Sequence, residues 1–173
     1  MKANTFEYPD FDKFNTFPKL LKYRSEIMPD EVALRDKDLG IWNEITWDEY
    51  NKIVSELSIG LKSIGFKKGD VLALIGDNKP EWVFFEIACH ANGGMSLGVY
   101  RDTLDDEVGY LVKSAKVKFA YAEDQEQVDK LINVQKKLKT KIKVIYDDPR
   151  GLEKLKNPNV INMKDLASEA KNN

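Results

Sequence analysis

The chain has 173 residues, with 27 Lys and Arg against 29 Asp and Glu and a net charge of −2. That length supports one domain with a proper core, and the near balance of charge gives no electrostatic argument for nucleic acid or a membrane surface. No apolar run approaches the roughly 20 residues that span a bilayer, and the single Cys89 excludes a disulfide framework and a thiolate metal site.

The segment Met1-Lys2-Ala3-Asn4-Thr5-Phe6-Glu7 lacks the apolar core of a signal peptide, so a reducing, cytoplasmic setting is expected. Residues 1–16 have no hydrophobic period and read as a loose arm. Phe17, Leu20, Leu21, Ile27 and Met28 then predict a helix that stops at Pro29. Residues 32–36 and 41–45 read as two strands around a turn at Asp38-Leu39-Gly40, a hairpin.

Thr46 and Glu49 have the spacing of a capping box, in which each side chain satisfies an orphan backbone donor. Behind them Trp47, Tyr50, Val54, Leu57, Leu61 and Ile64 recur at steps of three and four, one face of a helix ended by Gly65. Val71-Leu72-Ala73-Leu74-Ile75 is a continuous apolar strand, the signature of burial on both faces. A turn through Asp77-Asn78-Lys79-Pro80, with Asn78 as expected cap, opens an apolar helix over residues 81–92. Strands at 95–100, 117–122 and 142–146 then alternate with helices, one capped by Thr103 and one spanning 124–138. This rhythm implies right-handed crossovers and a mostly parallel sheet. After Pro149 the pattern weakens to a turn, a loop and a weak helix over 163–171. The expected organisation is thus an arm (1–16), an α/β portion (17–148) and a weakly structured connection (149–173).

The catalytic inventory is thin. His90 is the only histidine, so any nucleophile–base pair must run through it; it sits in an apolar helix and reads as structural. Cys89 is its neighbour, but adjacent helical residues diverge, so the two form no dyad. Asp105-Asp106-Glu107 suit the positive end of a helix. Asp147-Asp148 follow a strand, where α/β folds display functional acids, and also suit a plain turn before Pro149. Gly76-Asp77-Asn78 has the strand–turn–helix order of a phosphate loop but one glycine and no Ser/Thr-Lys anchor; Gly93-Gly94 has the reverse order. Lys136-Lys137-Leu138-Lys139-Thr140-Lys141 reads as a solvated helix end. Composition and spacing stop at an α/β domain.

Several stretches together are more specific. Ile45-Thr46-Trp47-Asp48-Glu49-Tyr50, then Gly65-Phe66-Lys67-Lys68-Gly69-Asp70-Val71, then Asn78-Lys79-Pro80-Glu81-Trp82 running to Gly93-Gly94, resemble the N-terminal part of adenylate-forming enzymes. Gly98-Val99-Tyr100-Arg101-Asp102-Thr103, with Val108-Gly109-Tyr110-Leu111-Val112, is similar to the long-chain fatty acid–CoA ligases; short-chain and aryl members more often carry Pro and Asn at 100 and 101. Residues 122–130 are also similar to that branch, whereas Met95-Ser96-Leu97 departs from a common proline.

The resemblance implies a two-step ligase using ATP, Mg²⁺ and coenzyme A, with a fatty acid as substrate. It assigns no catalytic, cofactor-binding or metal-binding residue here, because the family's phosphate loop and later motifs are absent before Asn173. The expected state is a partial N-terminal domain, inactive and without bound cofactor, that self-associates through an uncovered apolar face. No transmembrane segment is expected, and peripheral membrane association stays open. Two alternatives also stay open: a stand-alone doubly wound nucleotide or small-ligand module, and a fragment of an adenylating enzyme for aryl, short-chain or amino acids.

Overall fold

A computed structural model describes residues 8–168. Helix α1 (Phe17–Ile27) starts at Thr16, whose hydroxyl accepts from the Lys19 N–H, and carries Pro18 in its first turn. In the stretch before it Pro9 is buried and the Phe14 ring lies 4.4 Å from that of Tyr23. The arm's first seven residues lie outside the described residues.

Strands β1 (Val32–Asp38) and β2 (Ile41–Thr46) form the expected hairpin, with both turn residues, Leu39 and Gly40, at positive φ. Helix α2 (Trp47–Ser63) begins in a complete capping box: Thr46 Oγ1 accepts from the Glu49 N–H, and Glu49 Oε2 accepts from the Thr46 N–H. Its face of Tyr50, Val54, Leu57 and Leu61 is buried as the period dictates.

The main sheet and its helices occupy the rest of the chain: β3 (Val71–Ile75), α3 (Pro80–Ala91), β4 (Met95–Val99), α4 (Asp105–Ser114), β5 (Phe119–Ala122), α5 (Gln125–Leu138), β6 (Lys143–Tyr146), β7 (Val160–Asn162) and α6 (Met163–Ser168). The strand order is β4-β3-β5-β6-β7, all parallel. Alternation along the strands builds two cores. Leu72, Leu74, Phe119, Tyr121 and Ile145 face α2, α3 and α6, while Val71, Ala73, Ile75, Ala120, Ala122 and Val144 face α4 and α5. Both faces of β3 and β5 are therefore sealed, as their unbroken apolar sequence requires.

Three details differ from expectation. Lys79, not Asn78, is the N-cap of α3 and gives no side-chain bond; Pro80 at the first position removes one of the donors a cap would serve. Leu104, not Thr103, caps α4, and Glu107 Oε2 receives the Leu104 N–H instead. The stretch after Pro149 contains β7, three residues held by pairing Val144, Ile145 and Tyr146 with Val160, Ile161 and Asn162. A three-residue strand shows no period in sequence.

Gly93 and Gly94 close the α3–β4 turn. A Cβ on Gly94 would lie 2.8 Å from the Cys89 sulfur and run into the Phe66 ring, so only glycine lets this turn seat on the core. No helix among the described residues is long and apolar enough to cross a membrane.

Candidate functional site at the carboxyl edge of the sheet

In an open parallel sheet, ligands bind beyond the carboxyl ends of the strands where successive crossovers diverge. Here α3 leaves β3 toward β4 on one face, and α4 returns across to β5 on the other, so the divergence falls between β3 and β5. The residues leaving those strands are Gly76-Asp77-Asn78-Lys79 and Glu123-Asp124.

Glu123 fills the gap. Its side chain is only 8% exposed; one carboxylate oxygen lies 2.7 Å from Lys79 Nζ and the other accepts the Asp77 N–H at 2.6 Å. The Lys79 amine is pushed up by that hydrogen bond. Gly76 lies against the same side chain: a Cβ there would sit 2.8 Å from Glu123 Cβ. A carboxylate of the chain thus occupies the backbone donor and the cation that a ligand phosphate would seek. Each charge-assisted bond contributes about 1.5–3 kcal/mol. A phosphate displacing one of them would forfeit roughly ten- to a hundredfold in affinity.

Arg101 clamps the adjoining loops. Its guanidinium meets Asp77 at 2.5 Å and Asp124 at 3.6 Å, and its carbonyl accepts from Lys130 Nζ at 2.5 Å. The loops after β3, β4 and β5 are tied by one residue. In the sequence Lys79, Arg101 and Glu123 stand out only as parts of longer stretches; the signal available was a charged residue leaving each apolar strand.

Asp147 and Asp148, predicted as an acid pair, diverge. Asp148 forms a forked ion pair with Arg150, which holds its carboxyl below the usual range. Asp147 is half-buried, and burial pushes its carboxyl up; Lys79 and Lys164 oppose that push, and Asp148 and Glu123 reinforce it. Glu81 is raised likewise, by burial first and by Asp147 among its neighbours. The Tyr121 phenol, pushed up by burial and by these acids, is fully buried with no hydrogen-bond partner among the described residues. No group of three or more His, Cys, Asp or Glu among the described residues is placed to hold a metal ion.

His90 has a structural partner. Ser96 Oγ donates to Glu86 Oε1 at 3.2 Å, so His90 Nε2, 3.0 Å from Ser96 Oγ, supplies the proton of their bond. A nitrogen that donates to the hydroxyl cannot act as its base. Cys89 is buried, and that burial pushes its thiol up to about 12, away from a nucleophilic thiolate.

The chain belongs to the AMP-binding enzyme family, which matches residues 21–172. It is 26% identical over 121 residues to the long-chain-fatty-acid–CoA ligase ACSBG1 of Homo sapiens, covering 69% of this chain and 17% of that protein. Against ACSBG1 of Bos taurus it is 25% identical over 138 residues, 79% of this chain and 19% of the relative. The chain thus spans about a fifth of the length of these curated relatives. The luciferase-like enzyme of the Zophobas morio mealworm shares the fold with TM-score 0.76 at 17% identity, over 93% of this chain and 35% of that one. Acetoacetyl-CoA synthetase from Streptomyces lividans does so with TM-score 0.75 at 20% identity, over 87% of this chain and 24% of its own.

The raised carboxyl of Asp147 sets a pH dependence. A proton held more tightly in the fold than in the unfolded chain stabilises below the ordinary carboxylate range, and that contribution is lost as pH rises through the folded value. Asp147→Asn removes the loss. In urea unfolding, the variant's stability relative to the parent should rise as pH is raised above the ordinary Asp value of about 4; a constant or falling difference contradicts the assignment.

Proposed function

We propose that this chain is the leading portion of a fatty acid–CoA ligase. In that reaction a carboxylate oxygen attacks the α-phosphorus of ATP, pyrophosphate leaves, and the acyl-adenylate forms. The coenzyme A thiol then attacks the acyl carbon, AMP leaves, and the thioester is released. The observation that carries the reading is the family match over nearly the whole chain, with long-chain fatty acid ligases among its relatives. The Arg101 clamp supports it, since it gives a structural purpose to the stretch that resembles the long-chain branch.

In this reading ATP, Mg²⁺ and coenzyme A are held by residues beyond this chain, which contributes the packed sheet on which they are mounted. The stand-alone nucleotide module needs an open crevice between β3 and β5, where Glu123 stands instead. The test is exchange of labelled pyrophosphate into ATP with Mg²⁺ and palmitate. The purified chain should give none above blank, and a second polypeptide carrying the remaining sequence of the family should restore it when added. Exchange by the chain alone contradicts the proposal.

Self-association belongs to the same reading. Among the described residues strand β4 pairs with β3 on one side only, and its sequence Met95-Ser96-Leu97-Gly98-Val99 carries no charge, proline or bulge of the kind that protects an edge. Met95 is 55% exposed on it. Sedimentation velocity should show a weight-average mass that rises with concentration, and Leu97→Lys should suppress the rise; a monodisperse monomer at high concentration contradicts this.

A further inference from the structure

The sheet is polarised in charge. Because all five strands are parallel, their entrance turns share one end, and β3, β5 and β6 stand side by side. The turn into β3 carries Lys67 and Lys68. The turn into β5 carries Lys116, with Lys118 just beyond it, and the turn into β6 carries Lys139 and Lys141. All six are exposed. The one acid among these turns is Asp70, paired with Lys118; at the opposite end Asp77, Glu123, Asp124, Asp147 and Asp148 outnumber the cations Lys79, Arg101 and Arg150 that pair with them. A chain of net charge −2 therefore presents one strongly basic end.

Between the last turns of α4 and α5 lies a groove of about 660 Å³. Its floor is Val112, Val117 and Leu138, and its walls include Lys113, Lys116, Lys139 and Lys141. Among the described residues Lys118 pairs with Asp70 and Lys137 with Asp106, whereas none of those four wall lysines makes an ion pair. The helix dipole accounts for Lys113, Lys136 and Lys137 in the last turns of α4 and α5. It favours a cation at Lys139 and Lys116 as well, but does not explain why lysine rather than glycine takes the backbone conformation found there. Lys116 (φ 55°) and Lys139 (φ 51°) both occupy the left-handed position after a helix, where glycine is at ease and a lysine is not. Two neighbouring helix ends hold lysine at a conformational cost, and both line the same groove.

From this juxtaposition of unpaired lysines around an apolar floor, we infer that the amino end of the sheet docks on an anionic membrane surface. The lining has no arginine to grip a carboxylate or phosphate with a fork, and no aromatic ring on which a base could stack. Point charges on flexible apolar stems suit a diffuse field of lipid headgroups, with the stems lying over the interface. The attraction is weak per residue, roughly a fivefold gain in partitioning for each lysine, and is screened by salt.

The experiment is flotation of the purified chain with vesicles of phosphatidylcholine alone and of phosphatidylcholine mixed with phosphatidylserine. The chain should float only with the mixed vesicles and be released as salt rises. K116E/K139E/K141E should abolish flotation, while K19E/K37E/K52E, an equal charge change on α1, the hairpin and α2, should retain it. Circular dichroism checks folding, and K116Q/K139Q/K141Q, expected to lose about fivefold per site, supplies the readout should the charge reversal fail to fold. No flotation with mixed vesicles overturns the inference, as does equal flotation with neutral vesicles. Equal loss in both triple variants overturns it in favour of net charge, and tighter binding to duplex RNA than to vesicles at the same salt overturns it in favour of nucleic acid.

Discussion

The carboxylate of Glu123, shut between β3 and β5, is the contact on which the functional edge of this fold depends. A parallel sheet whose crossovers diverge leaves a crevice at its carboxyl end. In this chain the crevice is closed by an ion pair to Lys79 and a bond from the Asp77 N–H. Burial of one partner makes that closure strong, and a carboxylate buried without such partners would be costly. Gly76 is the backbone counterpart of the same device, because any side chain there meets Glu123.

Around that point the loops are braced rather than poised. Arg101 joins Asp77 to Asp124, Asp148 is occupied by Arg150, and the Asp148 N–H bonds the carbonyl of Glu123. The less satisfied groups lie inside: the Tyr121 phenol and the raised carboxyls of Glu81 and Asp147 crowd the space under the first turn of α3. Polar groups left in that state lower stability. They become understandable where a larger protein surrounds them, and the chain spans about a fifth of the length of its curated relatives.

Much of the fold is legible in the sequence because the period is strong where burial is strong. The capping box at Thr46 and Glu49, the apolar run of β3 and the helical face of α2 each come from one rule. The caps of α3 and α4 fall one residue beyond their expected places, because Pro80 and Glu107 satisfy or remove the donors that Asn78 and Thr103 would serve. Strand β7 is hidden, being three residues long and defined only by its neighbour β6. At the carboxyl edge the sequence displays its charges but not their pairings. Lys79 and Glu123 are far apart in the chain, and only the order β3-β5 brings them together.

Membership of the AMP-binding enzyme family and a shut crevice are compatible once this portion is taken as a platform, with the nucleotide held elsewhere. The most direct measurement is to titrate ATP with Mg²⁺ into the purified chain and follow the backbone amide resonances of Gly76, Asp77 and Glu123. The account predicts that these signals stay where they are, because the Asp77 N–H is already committed to Glu123. Saturable shifts centred on those amides would contradict it and make the edge of this sheet a nucleotide site in its own right.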